Sequence, residues 1–332
     1  MTNVLVTGVT GFLGRAAAMR LRDMGWQVTG LGRDPDAGRM LAAQGIPFIQ
    51  ADLRNQREAE AACAGQEYVI HCAALSSPWG RYRDFYESNV TGTQHIVSGC
   101  LRHGVRRLVH VSTSSVYFDY VDGFNLSEEA KLPRKPANAY AATKLLAERI
   151  VTGAAVKGLS AIILRPRGVF GPGDNSLFPR LLHANQSRGI PLVGGGEAQL
   201  DLTYVDNVVE GLIRACFAPA NAAGRIYNLT NGEPVKVIDL LSRVFGLLGI
   251  PLRTRSVSRP AALAAGRGLE WLYRVLPWLG HEPPFTRYTV GLLAFSQTLD
   301  ISQSRRLLQY EPHVRLDDGL RRFAAWRRSG KA

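Results

Sequence analysis

Thr7-Gly-Val-Thr-Gly-Phe-Leu-Gly14 decides how this chain is read. Asn3-Val-Leu-Val6 precedes it, an apolar run too short for a helix and suited to a buried parallel strand. Leu13, Ala16, Ala17, Arg20, Leu21 and Met24 follow at helical spacing. Glycines 8, 11 and 14 therefore fall on a strand-to-helix turn. There, free backbone N–H groups and the positive end of a helix dipole suit a pyrophosphate. Gly8 permits the tight turn, Gly11 lets backbone approach phosphate, and Gly14 lets helix pack on strand. The spacing is G-x-x-G-x-x-G, not the general G-x-G-x-x-G, so alone it is a modest signal.

Working outward, Gln27-Val-Thr-Gly-Leu31 reads as a second strand ending at Gly32-Arg33-Asp34. An acidic residue at this end pairs with a ribose 2′-hydroxyl, and an arginine accommodates a 2′-phosphate. Arg33 comes first, which favours NADP(H), while Asp34 keeps NAD(H) as the alternative. Ile46–Gln50 reads as a third strand leading to Asp52-Leu53, a polar-then-apolar pair suited to adenine. Tyr68–His71 is a fourth, followed by small residues Cys72-Ala73-Ala74 that let backbone lie near a cofactor. From Tyr82 to His103 the periodicity is helical, with Gly104 as its C-cap, and Arg107–Val111 is a fifth strand ending at Ser112-Thr113. The alternation predicts an α/β fold with one doubly wound parallel sheet and ligands beyond its carboxyl edge.

Asn138 is the N-cap of a helix on which Tyr140 and Lys144 share a face. A phenol titrates near ~10 and is a poor proton shuttle at neutral pH. A neighbouring ammonium, together with an oxidised nicotinamide, is expected to lower that value. Tyr140 then serves as general acid or base, and Thr113 orients the reacting oxygen.

The 332 residues suffice for a large α/β domain with a sizeable insertion, or for two domains. A hydrophobic fraction of 46% with 20% charged residues argues against disorder. No apolar run is long enough to span a bilayer, and Met1-Thr-Asn3 passes straight into the first strand without a signal sequence. A cytoplasmic protein is expected. Cys63, Cys72, Cys100 and Cys216 are scattered, and read as reduced core thiols with no metal site. The net charge of +13 is dispersed, with its densest cluster in the tail from Arg321 to Lys331. No nucleic-acid-binding signature accompanies it, so a basic surface without nucleic-acid binding is expected.

Six segments together resemble the extended short-chain dehydrogenases/reductases, in order and over essentially the whole chain. They are Thr7-Gly8-x-x-Gly11-x-x-Gly14, His71-Cys-Ala-Ala74, Asn89-Val-Thr-Gly-Thr93, Val111-Ser-Thr-Ser-Ser-Val-Tyr117, Tyr140-x-x-x-Lys144 and Arg165-Pro-Arg-Gly-Val-Phe-Gly-Pro172. The resemblance implies a Rossmann-type sheet and a catalytic set of Thr113, Tyr140 and Lys144, with Lys144 also on the nicotinamide ribose. The implied cofactor wall is Gly8, Thr10, Gly11, Phe12, Leu13, Arg33, Asp52, Leu53, Ala73, Ala74, Asn89, Tyr140, Lys144 and Pro166. Trp79, Arg81, Ser114, Arg167 and Tyr204 are the implied substrate wall. Homodimers are common in that family, although no interface is legible in these residues.

The substrate class turns on two regions. In the sugar-nucleotide branch an arginine grips the diphosphate in a stretch reading Arg-(Asp)-x-x-x-Val-x-Asp. Here the stretch is Gln199-Leu-Asp-Leu-Thr-Tyr-Val-Asp206, and Leu200 cannot make that contact. Pro78-Trp-Gly-Arg-Tyr82 and the Leu-, Trp-, Tyr- and Phe-rich residues 263–299 instead resemble the 3β-hydroxysteroid dehydrogenase branch, and within it the bacterial 2-alkyl-3-oxoalkanoate reductases. Arg81, Arg167 or Arg287 is placed to hold a carboxylate. Residues 263–299 read equally as core or as a lipophilic pocket, and less readily as a membrane-surface helix around Trp271–Trp278 with Arg267 and Arg274.

The expected function is an NADP(H)-dependent oxidoreductase interconverting a ketone and a secondary alcohol on a hydrophobic substrate, either a β-keto/β-hydroxy acid or a 3-hydroxysteroid-like compound. The alternatives are a nucleotide-sugar 4-epimerase or dehydratase using the same triad, and a non-catalytic dinucleotide sensor. Residues 1–171 and 201–230 are expected to form the dinucleotide-binding domain, with 172–200 and 231–332 an interleaved, smaller substrate-binding cap.

Overall fold

The computed structural model describes residues 2–276, 278 and 282–330. Seven short segments carry the sheet: β1 (Asn3–Thr7), β2 (Gln27–Gly32), β3 (Phe48–Gln50), β4 (Tyr68–His71), β5 (Arg107–Val111), β6 (Ala161–Pro166) and β7 (Ile226–Leu229). Every residue of β4, β5 and β6 is buried, as strands covered on both faces require. The order across the sheet is β7-β6-β5-β4-β1-β2-β3, and all neighbours are parallel. The order reverses between β1 and β4, so a crevice opens beyond their carboxyl ends.

Helices α1 (Phe12–Asp23), α2 (Gly92–Arg102), α3 (Ala139–Val156) and α4 (Val205–Phe217) flank the sheet. One core cluster joins the β1 and β5 valines to α1 and α4 through Ala17, Leu21, Val208 and Leu212. Another joins Leu5, Leu108 and Ile163 to α2 and α3 through Ile96 and Val151. This is the doubly wound α/β fold anticipated from the sequence. The expected helix from Tyr82 to His103 is real but interrupted. An α-turn at Tyr82–Phe85 passes through a π-helical stretch, Tyr86–Thr91, into α2. Such insertions mark functional positions, and Asn89 sits inside this one.

Helices α5 (Val237–Leu248), α6 (Arg259–Val275), α7 (Arg287–Ala294) and α8 (Leu316–Arg328) belong to the C-terminal part. A four-stranded sheet there runs Val235–Lys236, Gln199–Leu200, Gln297–Leu299, Gly123–Leu126. Its last strand, Gly123–Leu126, comes from the first half of the chain and pairs with Gln297–Leu299. α6 and α7 cross closely because Gly266 has no side chain. A Cβ there would lie 2.8 Å from the Arg287 Cα. Thr286 and Thr289 form a reciprocal capping box that fixes where α7 begins. Among the described residues no helix is long and apolar enough to cross a membrane.

Candidate active site

The glycine turn is built as a cradle. Gly8 has φ +68°, and a Cβ on it would stand 2.7 Å from the Ala73 Cα. A Cβ on Gly14 would stand 2.3 Å from the Gly8 carbonyl oxygen. Neither position admits a side chain, so the ends of β1, β4 and α1 converge. Gly11 is the N-cap of α1 and no side chain caps the helix, which leaves first-turn N–H groups free for an anion. Thr10 packs where a Cβ on Gly32 would sit, joining the turn to the end of β2. Phe12 and Leu13 are half-buried and pack towards the C-terminal core. These features fit a dinucleotide pyrophosphate.

At the end of β2 the two candidates part company. Asp34 spends its Oδ1 on the backbone N–H groups of Asp36 (2.9 Å) and Ala37 (3.2 Å), capping the helix Pro35–Ala43. Arg33 is exposed beside it. Asp52 is paired with Arg54 at 2.6 Å, and that bond holds its carboxyl below the usual range. Leu53 is buried and its carbonyl accepts from His95.

A buried relay ties β1, β4 and the π-helical stretch together. Thr93 donates to the Asn89 carbonyl (2.6 Å), so the His71 Nε2 must donate to Thr93 (3.0 Å). The His71 Nδ1 then accepts from Thr7 (2.7 Å), whose oxygen accepts from the Ala73 N–H (3.3 Å). The Asn89 side chain clasps Leu75 through its N–H (2.7 Å) and carbonyl (3.1 Å), and donates to Thr143 on α3. Asn89 thus shapes the 72–77 loop, which carries Ala73, the exposed Ala74 and Ser76.

Tyr140 and Lys144 lie on the first two turns of α3, whose N-cap Asn138 accepts from the Ala141 N–H. The Tyr140 hydroxyl is within reach of the Ser76 and Thr113 hydroxyls, both of which favour its ionised form. Lys144 is fully buried. Its Nζ donates to the Val111 carbonyl (2.7 Å) and lies 3.2 Å from the His110 Nε2. Burial lowers the ammonium to about 8, partly opposed by Glu148. The expected direction for Tyr140 is corrected here. Burial raises its phenol above the ordinary value, and the nearby Ser76 and Thr113 hydroxyls only partly oppose this. The Lys144 charge is directed at β5 rather than at the phenol.

Thr113 donates to Ser115 (3.0 Å), and the Ser115 hydroxyl meets the Tyr288 hydroxyl of α7 at 2.7 Å. Hydroxyls thus link Thr113 and Ser115 of the loop after β5 to Tyr288 in the C-terminal part, with Tyr140 of α3 within reach of Thr113. Ser76, Ser115 and Tyr288 were not singled out from sequence. The only signal for Tyr288 was its place in Pro284-Phe-Thr-Arg-Tyr288. Behind the loop a buried network holds it in place. Arg165 pairs with Glu148 at 2.5 Å and donates to Tyr117 (2.6 Å), Ser112 donates to Glu148, and Tyr117 donates to Asn228 (2.9 Å).

The implied substrate residues are dispersed. Ser114 is buried, with its carbonyl accepting from Gln297 (3.2 Å), and Arg167 is buried with its Nη1 on that same Gln297. Pro166 is buried between the two arginines at the end of β6. Trp79 lies under the Arg274 guanidinium at 5.2 Å. Arg81 is 86% exposed at its side chain and paired with Asp84. Tyr204 is a core residue, its ring against Phe170 and Gly319 with Arg322 over its face, because α8 packs there. Arg287 stacks on Tyr120 at 3.9 Å. Leu200 is buried in the C-terminal apolar cluster. Trp271 and Trp278 are 63% and 78% exposed, and residues 277 and 279–281 of that segment lie outside the described residues.

A family model described as "NAD dependent epimerase/dehydratase family" matches residues 4–230. The chain is 34% identical to a 2-alkyl-3-oxoalkanoate reductase of Stenotrophomonas maltophilia (strain K279a), over 97% of this chain and 98% of that one. It is 30% identical to a sterol-4-alpha-carboxylate 3-dehydrogenase, decarboxylating, of Mus musculus, over 96% and 88%. Among solved structures, MoeE5 in complex with UDP-glucuronic acid and NAD superposes with a TM-score of 0.77. It is 27% identical, and 99% of each chain is covered.

Proposed function

The chain belongs to the NAD dependent epimerase/dehydratase family, the extended short-chain dehydrogenases/reductases, whose members named above act on CH–OH or carbonyl groups, and from that premise we propose that it reduces the ketone of a hydrophobic 3-oxo acid with NADPH. The observation that carries the reading is the half-buried Tyr140, its hydroxyl within reach of Thr113 and its phenol pushed above its ordinary pKa. A phenol that keeps its proton at neutral pH is suited to giving it to a carbonyl oxygen as that oxygen gains charge. Thr113 orients the same oxygen. A bound nicotinamide dinucleotide supplies the hydride that adds to the carbonyl carbon. The residues that would hold it are the glycine turn, Arg33, the 72–75 loop and Lys144.

NADP(H) is preferred over NAD(H) because Asp34 is committed to capping a helix, which leaves Arg33 as the free group at the β2 end. A hydrophobic acid is preferred over a nucleotide sugar because Leu200 is buried among apolar side chains where a diphosphate would need a cation.

The test is NADPH and NADH oxidation with a panel of 2-alkyl-3-oxo acids, 3-oxosteroids and UDP-sugars. Reduction of the acids by the native protein, lost by at least ~100-fold in Tyr140→Phe while dinucleotide fluorescence titration is unchanged, is the expected result. A fully active Tyr140→Phe variant, or stabilisation by UDP-sugars alone, overturns it.

A further inference from the structure

Arg165 and Arg167 stand two residues apart at the end of β6, both buried, and the fold treats them differently. Arg165 gives Nε and Nη2 to Glu148 and Nη1 to Tyr117, so its charge and its donors are satisfied. Arg167, 6% exposed, gives Nη1 to the neutral amide of Gln297, and its Nε has no partner among the described residues. Among the described residues no Asp or Glu forms an ion pair with it. Asp201 acts on it only across space. One Asp201 oxygen accepts from the Leu299 N–H (2.7 Å), the other is unpartnered, and burial pushes this carboxyl up to about 6. A buried guanidinium with one neutral partner is costly, and an arriving carboxylate that accepts two of its N–H bonds relieves that cost.

The place of this guanidinium matters as much as its state. Gln297, which holds it, donates its other side-chain atom to the carbonyl of Ser114, the residue after Thr113. The Tyr288 hydroxyl, bonded to Ser115, is within electrostatic reach of both Arg167 and Tyr140. The unpaired cation is therefore tied to the loop that carries the oxygen-binding hydroxyls.

We propose that Arg167, held by Gln297, binds the carboxylate of the 3-oxo or 3-hydroxy acid whose reacting oxygen meets Tyr140 and Thr113, and so selects acids over neutral ketones. The proposal rests on the reductase reading for the identity of the reaction, not for the binding of an acid. Both acidic compounds named for the relatives, a 2-alkyl-3-oxoalkanoate and a sterol-4-alpha-carboxylate acted on at position 3, place the carboxylate on the carbon beside the reacting one.

The experiment compares the native protein with Arg167→Met and Arg167→Lys. The first readout is the ratio of kcat/KM for a 2-alkyl-3-hydroxyalkanoic acid over its methyl ester, in the oxidative direction with NADP⁺. The second, independent of turnover, is calorimetric binding of a 2-alkylalkanoic acid that lacks oxygen at C3. The expected result is an acid-over-ester ratio that falls about 10- to 100-fold in Arg167→Met through KM, with acid binding weakened to match. Arg167→Lys keeps the charge but loses the planar fork, and falls in between. It also serves as the readout if the Met variant does not fold. Acid binding equal in native protein and variants, or acid and ester falling together, overturns the proposal. Native protein that binds the acid through Arg167 yet oxidises neither compound ends the reductase reading and leaves the carboxylate site standing.

Discussion

Lys144 shows how far a residue's chemistry depends on where the fold puts it. Tyr140-x-x-x-Lys144 was legible from spacing alone, because residues four apart share a helix face. The sign of the electrostatics was not legible, since it depends on what surrounds each head group. Burial holds the Lys144 ammonium near 8 and raises the Tyr140 phenol. The reductive kcat/KM is expected to fall about tenfold per pH unit as pH rises through about 8 and Lys144 loses its proton. Unfolding does not explain such a loss. The unfolded lysine titrates near 10.5 and the folded one near 8, so between those values the unfolded chain binds more protons and this residue makes stability rise with pH. A pH–rate profile flat to pH 10, with a melting temperature measured at each point, contradicts the assignment.

Elements act through their ends. The helix Pro35–Ala43 needs an N-cap, and Asp34 supplies it, so a helix-capping requirement decides which side chain at the β2 terminus is left for a cofactor. Arg33→Ala is expected to raise the KM for NADPH about 10- to 100-fold, the worth of a charge-assisted bond, and to change that for NADH little. Equal effects on the two cofactors would refute a 2′-phosphate contact. In the same way the π-helical stretch Tyr86–Thr91 is what sets Asn89 against Leu75 and Thr143. The apolar periodicity of residues 82–103 marks a helix there but carries no sign of the inserted turn, which one widened backbone ring produces.

At the scale of the whole molecule, two neutral histidines sit side by side in the sheet, with His71 and His110 on adjacent strands and their ring centroids 5.2 Å apart. Burial pulls His71 down to about 3 and His110 well below its usual value, and Lys144 lowers both further. Their folded values lie below the unfolded value of about 6.5, so the unfolded chain takes up protons first as pH falls. His71 is expected to remove up to about 1.4 kcal/mol of stability per pH unit between 6.5 and 3, and His110 adds a loss of the same sign as pH falls below 6.5. Chemical denaturation at pH 7, 6 and 5 checks this, and His71→Gln should flatten the slope.

By itself the sequence determined the alternation of strands and helices, the glycine turn, and the positions of Thr113, Tyr140 and Lys144. All of these are local patterns, readable because side-chain spacing and backbone freedom are properties of neighbouring residues. Only the tertiary structure decided that Tyr288 reaches Ser115 from 173 residues away, that Tyr204 belongs to the core, and that of the two buried arginines at the end of β6 only Arg165 pairs with a carboxylate among the described residues. Contacts between distant segments depend on how the chain crosses itself, and charge compensation in a low-dielectric interior depends on those contacts.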